Sequence, residues 1–411
     1  MKQRKKLLIT IFILFFIFFN ISFVQAVDTT DNDKLSLVSS SAILMDSKTN
    51  KVLYSKNADK KMYPASTTKI LTAILVLENT NLNDVVNVSY DAVMSIPEGY
   101  SSANLQVGEQ LTVEQLLQLL LVHSSNDAAN ALAEHVGGSV ESFVSMMNTK
   151  INDLKLSNTH FTNAFGMHNE NHYTTAHDLA FIMQYCMKNE NFRKIAGSAS
   201  CSIPSTNKYG IRSYSSTNEL IIPNSKNYYQ YLTAGKTGYT TQAGDCLVSC
   251  GYKDDLELIC VILGGKTVNS VSTRFSETKK LYDYGYSNYS IKNIIKKGTT
   301  VSQIEVKNAT SDTKNLELIS DGNISALVKN SDNYDNLEPT ISLKDNIVAP
   351  IYEGDLIGEA VYNIDENSYK VNLVASHDVT KSILFEIILS IVVIIAIIVL
   401  VIIIIRKKRK K

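Results

Sequence analysis

The chain has 411 residues, 45% hydrophobic and 19% charged, a composition that excludes a disordered protein and leaves room for two domains. The formal net charge is zero, but ten cations lie in the end segments 1–26 and 406–411, which contain no acidic residue. Residues 27–405 therefore carry a net charge of −10, which gives no electrostatic case for a nucleic-acid partner.

The two ends of the chain predict export and membrane attachment. Residues 1–26 combine a basic start, a largely apolar stretch and a small-residue cleavage site, which is typical of a signal peptide. Because the apolar stretch is long, an uncleaved N-terminal anchor stays open. Residues 383–405 are long enough to cross a bilayer, and the basic tail at 406–411 marks the cytoplasmic side. We expect a single-pass cell-membrane protein whose main part is extracytoplasmic.

The cysteines predict no metal site and no disulfide framework. They are odd in number and contain no Cys-x-x-Cys pair: Cys186, Cys201, Cys246, Cys250 and Cys260. An exported protein can form a disulfide, but the fold does not depend on one.

A polar lead at 27–37 precedes a mixed α/β region at 38–286. A hairpin is predicted at 42–54, followed by helices at 67–79, 113–121, 126–136, 139–153 and 177–188. Buried strands are then predicted at 245–250 and 256–263, and a last helix at 270–284. Strands at both ends of a helical middle indicate one antiparallel sheet with helices packed on it. Residues 287–376 alternate short β-rich runs with polar turns, which predicts a small all-β domain before the membrane helix.

Ser66 and Lys69 lie three residues apart in the stretch PASTTK, directly before an apolar run that predicts a helix. Both side chains then share one face at the helix N-terminus, where the helix dipole favours an ionised nucleophile. A partly desolvated lysine loses its proton more easily, so the pair fits a serine nucleophile with a lysine base. An ordinary helix start explains the spacing equally well, since other pairs share it: Ser205/Lys208, Ser276/Lys279 and Ser311/Lys314.

Ser124 and Asn126 follow an apolar run and precede a helical pattern. A turn between two helices can aim a hydroxyl and an amide into a cleft, although a simple N-cap is the alternative.

Lys236, Thr237 and Gly238 precede a predicted strand. On an edge strand they would present an ammonium and a hydroxyl to an anionic substrate end, and the glycine would allow the substrate backbone to approach. A plain turn is the alternative. A phosphate loop is excluded, because position 230, which must then be glycine, is Gln230.

Together and in this order, the three motifs resemble those of the penicillin-binding, active-site-serine D-alanyl-D-alanine carboxypeptidases. The similarity extends to Pro64–Lys69, to Phe165–His168 and to Asn171–Thr175, and it covers residues 38–286. It implies an α/β catalytic domain of the β-lactamase and transpeptidase type. The implied substrate is a peptidoglycan stem peptide ending in D-Ala-D-Ala, with β-lactam antibiotics as inhibitors and no cofactor.

The resemblance also implies residue roles. Ser66 is acylated with Lys69 as base, and Ser124 relays protons to the leaving amine. The substrate is held by Asn126, Lys236, Thr237 and Gly238, and the backbone N–H groups of Ser66 and Tyr239 form the oxyanion hole. Arg274 either pairs with the terminal carboxylate of the substrate or is a plain surface charge.

Three other functions are alternatives to the one that this resemblance implies. A zinc peptidase is disfavoured, because His168 and His172 are four apart without the glutamate that His-Glu-x-x-His requires next to the first histidine. A class A-type β-lactamase is disfavoured, since no Glu-x-x-Leu-Asn lies between Ser124 and Lys236. A non-catalytic wall-binding module stays open. The sequence does not decide between vegetative wall and spore cortex as the target, nor the preferred stem peptide, the cysteine pairing or the oligomeric state.

Overall fold

The computed structural model describes residues 35–409 apart from 270, 335 and 366. The predicted signal peptide and most of the polar lead lie outside the described residues. The first domain contains β1 (Ser41–Asp46), β2 (Val52–Lys56), α1 (Lys69–Asn79), β3 (Val85–Asn87), α2 (Tyr90–Met94), β4 (Gln110–Thr112), α3 (Val113–Gln118), α4 (Asn126–Gly137), α5 (Val140–Asp153), α6 (Ala176–Cys186), α7 (Glu190–Ala196), β5 (Ser200–Ile203), β6 (Arg212–Ser215), β7 (Leu232–Thr240), β8 (Gly244–Lys253), β9 (Leu256–Gly265), β10 (Thr267–Val268), β11 (Val271–Ser272) and α8 (Thr273–Asn288).

A five-stranded antiparallel sheet organises this domain, with the strand order β2-β1-β9-β8-β7. Alternate residues of β1 enter two different cores. Ile43 and Met45 lie in the core with helices α1 to α7, whereas Ala42 and Leu44 lie in the core with α8. Because helices cover both faces, the central strands are buried on both sides and largely apolar instead of alternating. The predicted sheet with helices packed on it is confirmed, and β7 lies at its edge.

The second domain is all-β and starts directly after α8. It contains β12 (Tyr289–Ile295), β13 (Thr300–Glu305), β14 (Asn315–Ser320), β15 (Ile324–Lys329), β16 (Thr340–Leu343), β17 (Leu356–Ile364) and β18 (Asn367–Ala375). Its main sheet has the order β13-β14-β18-β17-β16, and β12 pairs with β15. Val379 is buried in its core, three residues beyond the predicted end of the domain, and Ser382 N donates to Asn308 O at 2.8 Å.

One further helix, α9 (Leu384–Arg409), follows the second domain. Its segment Ile387–Lys407 is long and apolar enough to cross a membrane, and none of it is buried against the rest of the protein. A core helix of a soluble domain would be mostly buried. The length, apolar composition and exposure of α9 therefore fit a membrane anchor.

Candidate active site

Ser66 lies in a single 3-10 turn, Ala65–Thr68, immediately before α1. The residue before it, Ala65, has a φ of +48°, which is unusual for a residue with a Cβ. Gly166 passes so close that a Cβ on it would lie 1.8 Å from the Ala65 carbonyl oxygen, and its own φ is +93°. The nucleophile turn is thus held in a strained conformation by a loop that must have glycine at this position.

Lys69 occupies the first position of α1 and is fully buried. Its Nζ lies 2.9 Å from Ser66 Oγ, 2.6 Å from Asn126 Oδ1 and 2.8 Å from the Phe165 carbonyl oxygen. Burial lowers the pKa of Lys69 well below the usual lysine range, the charge of Lys236 lowers it further, and Asp127 opposes the shift. A neutral Nζ can donate to Asn126 and Phe165 and still offer its lone pair to the Ser66 hydroxyl proton.

Ser124 ends a π-helical turn, Leu119–His123, that extends α3. Its φ of +69° turns the chain sharply into α4, which begins at Asn126. Lys236 Nζ donates to Ser124 Oγ at 2.9 Å and to the Thr237 carbonyl oxygen at 2.8 Å. Burial lowers the pKa of Lys236 to about 7, and the neighbouring Arg274 contributes to the shift. The predicted turn between two helices therefore brings a hydroxyl and an amide to two buried lysines.

The edge strand β7 carries Lys236, Thr237, Gly238 and Tyr239 along one side of the site. Thr237 Oγ1 shares a 2.6 Å hydrogen bond with Thr217 Oγ1. A Cβ on Gly238 would lie 2.9 Å from the Ser66 backbone nitrogen, so only glycine lets the strand approach the nucleophile turn this closely. Tyr239 is 62% exposed and lines the cleft.

Arg274 reaches β7 from α8. Its Nη1 donates to the Gly238 carbonyl oxygen at 2.9 Å and lies 3.5 Å from Asp245 Oδ1, and its side chain is only 16% exposed. This is not the geometry of a plain surface charge, so that alternative is wrong. Arg274 instead stabilises the strand segment that faces Ser66.

An open cleft of about 470 Å³ gives access to Ser66. We call it the catalytic cleft; it is bounded by the loop at 99–101, by Asn126, by Phe165–Met167 and by the end of β7 with its turn, 239–242. A serine hydroxyl in an open cleft, beside a buried lysine whose pKa is lowered, is an arrangement suited to acyl transfer.

A family profile described as D-alanyl-D-alanine carboxypeptidase matches residues 27–267, which is more than half of the chain. The chain belongs to this family. Members are serine hydrolases, so the predicted enzyme class is confirmed. A second profile, for the C-terminal domain of penicillin-binding protein 5, matches residues 289–381 in the all-β region.

Individual relatives agree with this assignment. The chain is 32% identical over 361 residues to D-alanyl-D-alanine carboxypeptidase DacF of Bacillus subtilis, covering 86% of this chain and 89% of that one. It is 28% identical over 334 residues to DacA of Escherichia coli, covering 79% of both chains. Among solved structures, penicillin binding protein 5 from Haemophilus influenzae matches with a TM-score of 0.63 at 27% identity, covering 84% of this chain and 98% of that one.

His172 supports the carboxypeptidase nucleophile turn and is not free for a metal. It is buried, its Nε2 lies 2.8 Å from Thr68 Oγ1, and its Nδ1 accepts from the Thr162 backbone nitrogen at 3.0 Å. Thr68 Oγ1 donates in turn to the strained Ala65 carbonyl oxygen at 2.9 Å. Burial lowers the pKa of His172 to about 3, so the ring stays neutral.

The sequence assigned no role to three contributors to the site. Thr217 lies twenty residues before its partner Thr237, in a loop without a motif. Phe165 acts through its backbone carbonyl, which no side-chain pattern reveals. Asp127 follows Asn126 directly and accepts hydrogen bonds from Ser102 Oγ at 2.6 Å and from the backbone nitrogens of residues 103 and 105, which fixes the loop beside the cleft. Of these three, only Asp127 had a signal in the sequence, which is an acidic residue directly after the motif residue Asn126.

Proposed function

We propose that this protein removes the terminal D-alanine from peptidoglycan stem peptides ending in D-Ala-D-Ala, through an acyl-enzyme on Ser66. The observation that carries the proposal is the 2.9 Å contact between Ser66 Oγ and the fully buried Lys69 Nζ. The same nucleophile would be acylated by β-lactam antibiotics.

Acylation begins with a proton transfer from Ser66 Oγ to Lys69 Nζ. Burial and the charge of Lys236 lower the pKa of Lys69, which favours the neutral amine that this step needs. Ser66 Oγ then attacks the carbonyl carbon between the two D-alanines, and the oxygen of that carbonyl gains negative charge. The backbone nitrogens of Ser66 and Tyr239 are the proposed donors to it, because β7 approaches the Ser66 nitrogen at Gly238. One such donor typically contributes about 3 kcal/mol to stabilising the transition state.

Collapse of the intermediate breaks the peptide bond and requires a proton on the leaving nitrogen. Ser124 is the proposed donor, since its hydroxyl lies 2.9 Å from Lys236 Nζ, which can replace the proton. Free D-alanine then leaves. A water molecule attacks the ester carbonyl and gives one proton through Ser124 to Lys236, and Lys69 Nζ returns its proton to Ser66 Oγ as the ester bond breaks, so both lysines regain their starting states. Asn126 is proposed to bind the peptide backbone of the substrate beside Lys69.

Recognition of a free carboxylate is assigned to Thr237 with the positive field of Lys236 and Arg274. Thr217 Oγ1 and Thr237 Oγ1 share a hydrogen bond, and with Thr217 as its donor the Thr237 hydroxyl proton is free to point at the carboxylate. Arg274 acts through β7, because its Nη1 is held by the Gly238 carbonyl oxygen. We further propose that α9 spans the membrane with the basic tail in the cytoplasm, which places the catalytic cleft outside the cell, where peptidoglycan lies.

Mass spectrometry of products from a peptide ending in D-Ala-D-Ala tests the reaction. We expect the loss of one D-alanine, and amidation of the terminal carboxylate should lower kcat/KM by roughly ten- to a hundredfold, since a charge-assisted hydrogen bond contributes about 1.5–3 kcal/mol. Thr237→Val should cause a similar loss on the acid and little further loss on the amide. Thr233→Val, on the same strand, is the matched control. Equal cleavage of acid and amide would refute carboxylate recognition and favour an endopeptidase.

A further inference from the structure

The exposed apolar side chains of the second domain are confined to one segment. In the described part of this domain, residues 289–382 without 335 and 366, the large hydrophobic side chains at the surface lie between positions 343 and 356. They are between 42% and 64% exposed: Leu343, Val348, Tyr352 and Leu356. We call these four residues the apolar patch. Single exposed apolar residues are normal on a domain surface, but their concentration at one place indicates a contact surface.

The four residues form one continuous surface. Val348 and Leu356 line the same open cavity, of about 270 Å³. Leu343 ends β16, and the backbone nitrogen of the next residue donates to the carbonyl oxygen of residue 357 at 2.9 Å, which places Leu343 beside Leu356. The Tyr352 backbone nitrogen donates to Asp355 Oδ2 at 2.8 Å, directly before Leu356. The patch is therefore a property of the folded domain and not of a loose loop.

The apolar patch lies at the end of the second domain that is farther from the first domain. Strand β17 runs between the two ends. Leu356 at its start belongs to the patch, and Asp365, directly after its end, forms an ion pair with Lys51 of the first domain. A strand of 9 residues is about 30 Å long. The patch is thus separated from this interdomain contact by the length of the sheet.

Helix α9, the proposed membrane span, leaves the domain at the same end. Ile351, next to Tyr352, pairs with Val379: the Val379 nitrogen donates to the Ile351 carbonyl oxygen at 2.8 Å, and the Ile351 nitrogen donates to the Val379 carbonyl oxygen at 3.1 Å. The Ser382 nitrogen donates to the Asn308 carbonyl oxygen at 2.8 Å. Only position 383 lies between this hydrogen bond and the start of α9. The patch and α9 are therefore joined by ordered chain.

This connection limits the height of the patch above a bilayer. Two residues lead from Ser382 to the start of α9, and three more lead to Ile387, where the apolar span begins. Extended chain followed by helix covers at most about 12 Å over these positions. The headgroup layer occupies about 5–8 Å of that distance. With α9 in the bilayer, this end of the second domain lies on or in the headgroup layer.

We propose that the apolar patch contacts the lipid surface, so that the second domain rests on the bilayer in addition to being tethered by α9. This rests on the proposed membrane span and goes beyond it. Tyr352 is 64% exposed, and tyrosine is favoured at headgroup level because its ring is apolar and its hydroxyl is polar. The charged residues that line the neighbouring cavity have both signs: Lys344, Asp345 and Asp355. The contact is therefore apolar and does not depend on anionic lipids.

The test exploits the absence of tryptophan from the sequence, since one substitution then gives a reporter for one position. Full-length Tyr352→Trp is reconstituted in zwitterionic vesicles, with and without lipids brominated near the headgroup end of the acyl chain. Bromination should lower its fluorescence about twofold, because an aromatic side chain at headgroup level lies beside the quencher. Tyr90→Trp in the first domain is the matched control, since Tyr90 is also 64% exposed, and its fluorescence should not change. Val393→Trp, within α9, reports insertion of the span.

Removing the patch tests the cause of the quenching. In Tyr352→Trp, the added substitutions Val348→Glu and Leu356→Glu should reduce quenching to the level of Tyr90→Trp. Both positions are exposed, so the fold should be retained.

The outcomes separate the patch from the span. Unquenched Tyr352→Trp beside quenched Val393→Trp would overturn the lipid contact while the span stands. Blue-shifted but unquenched emission from Tyr352→Trp would show that a second copy of the chain covers the patch, which also overturns the proposal. Absence of quenching in Val393→Trp would contradict the span, and the quenching of Tyr352→Trp would still decide whether the patch meets lipid.

Discussion

The two domains that precede α9 differ in what they bury. The first domain encloses charged side chains at one edge of its sheet, including the fully buried Lys69 and the almost fully buried Lys236 and Asp127. In the described part of the second domain, Ser320 is the one buried polar residue, among aliphatic and aromatic side chains. Burying a charge costs several kcal/mol unless it is well paired, so a fold retains such groups where chemistry requires them. The contrast agrees with the proposed catalysis in the first domain.

Residues with positive φ occur in both domains, but their surroundings differ. Ala65, Ser124 and Gly166 all have positive φ and lie around Ser66, the proposed nucleophile, where a shift would move the atoms proposed to react. In the second domain, Gly354 also has a positive φ of +84°, but nothing lies within 4 Å of the Cβ position. The same backbone feature thus lies in close packing beside the proposed nucleophile in one domain and in an open turn in the other.

Replacing Gly166 or Gly354 with alanine tests this difference between the domains, and Gly166→Ala has the largest expected effect. Gly166→Ala should lower kcat/KM at least a hundredfold, because its Cβ would lie 1.8 Å from the Ala65 carbonyl oxygen and displace Ser66, and a shift of about 1 Å can cost 10²-fold. Gly354→Ala should cost only about 1–2 kcal/mol of stability through its positive φ and leave kcat/KM unchanged. Wild-type kinetics in Gly166→Ala would contradict the account.

From the two buried lysines we expect a pH dependence of acylation. Its change in Lys236→Met should be smaller than the effect of Gly166→Ala. Because the pKa of Lys69 is lowered, we expect the rate of acylation by penicillin to increase with pH. The midpoint of this increase should lie well below the ordinary lysine range. Lys236→Met removes a positive charge that lowers this pKa, so the midpoint should move to higher pH. If the midpoint rises by about one pH unit, acylation at a fixed pH below it should fall about tenfold.

Stopped-flow acylation rates across pH measure this midpoint. Lys280→Met, on the exposed surface of α8, is the matched control and should leave the midpoint in place. An unmoved midpoint in Lys236→Met would show that the two lysines are not coupled.

The smallest effect on catalysis is expected in the second domain. Leu318→Ala empties a fully buried site in its core and should lower the free energy of unfolding by about 2–5 kcal/mol, with kcat/KM within twofold of the unmodified protein. The same substitution at Leu132, buried on α4, which begins at the catalytic cleft, should lower stability and activity together. Loss of activity in folded Leu318→Ala would show that the second domain does more than support the first.

Local patterns predicted the parts of the site that are close in sequence. The Ser66 and Lys69 spacing, the turn at Ser124 and the triplet that starts at Lys236 all depend on neighbours within a few residues, and the structure brings them together. The triplet lies on the edge strand β7 and not in the plain turn that was the alternative. The contacts between distant segments could not be read from pattern: Thr217 with Thr237, the Phe165 carbonyl with Lys69, and Arg274 with β7 depend on how loops pack on the finished sheet. The short helices α2 and α7 were also missed, because five to seven residues carry too little periodicity.

The acyl-enzyme itself provides the most direct test of the central claim. Intact mass and peptide mapping after incubation with penicillin should show one adduct, on Ser66, and Ser66→Ala should show none. Ser276→Ala is the matched control, since Ser276 also precedes a lysine by three residues but lies exposed on α8, and it should label normally. An adduct on another serine, or labelling that persists in Ser66→Ala, would contradict the assignment of Ser66 as the nucleophile.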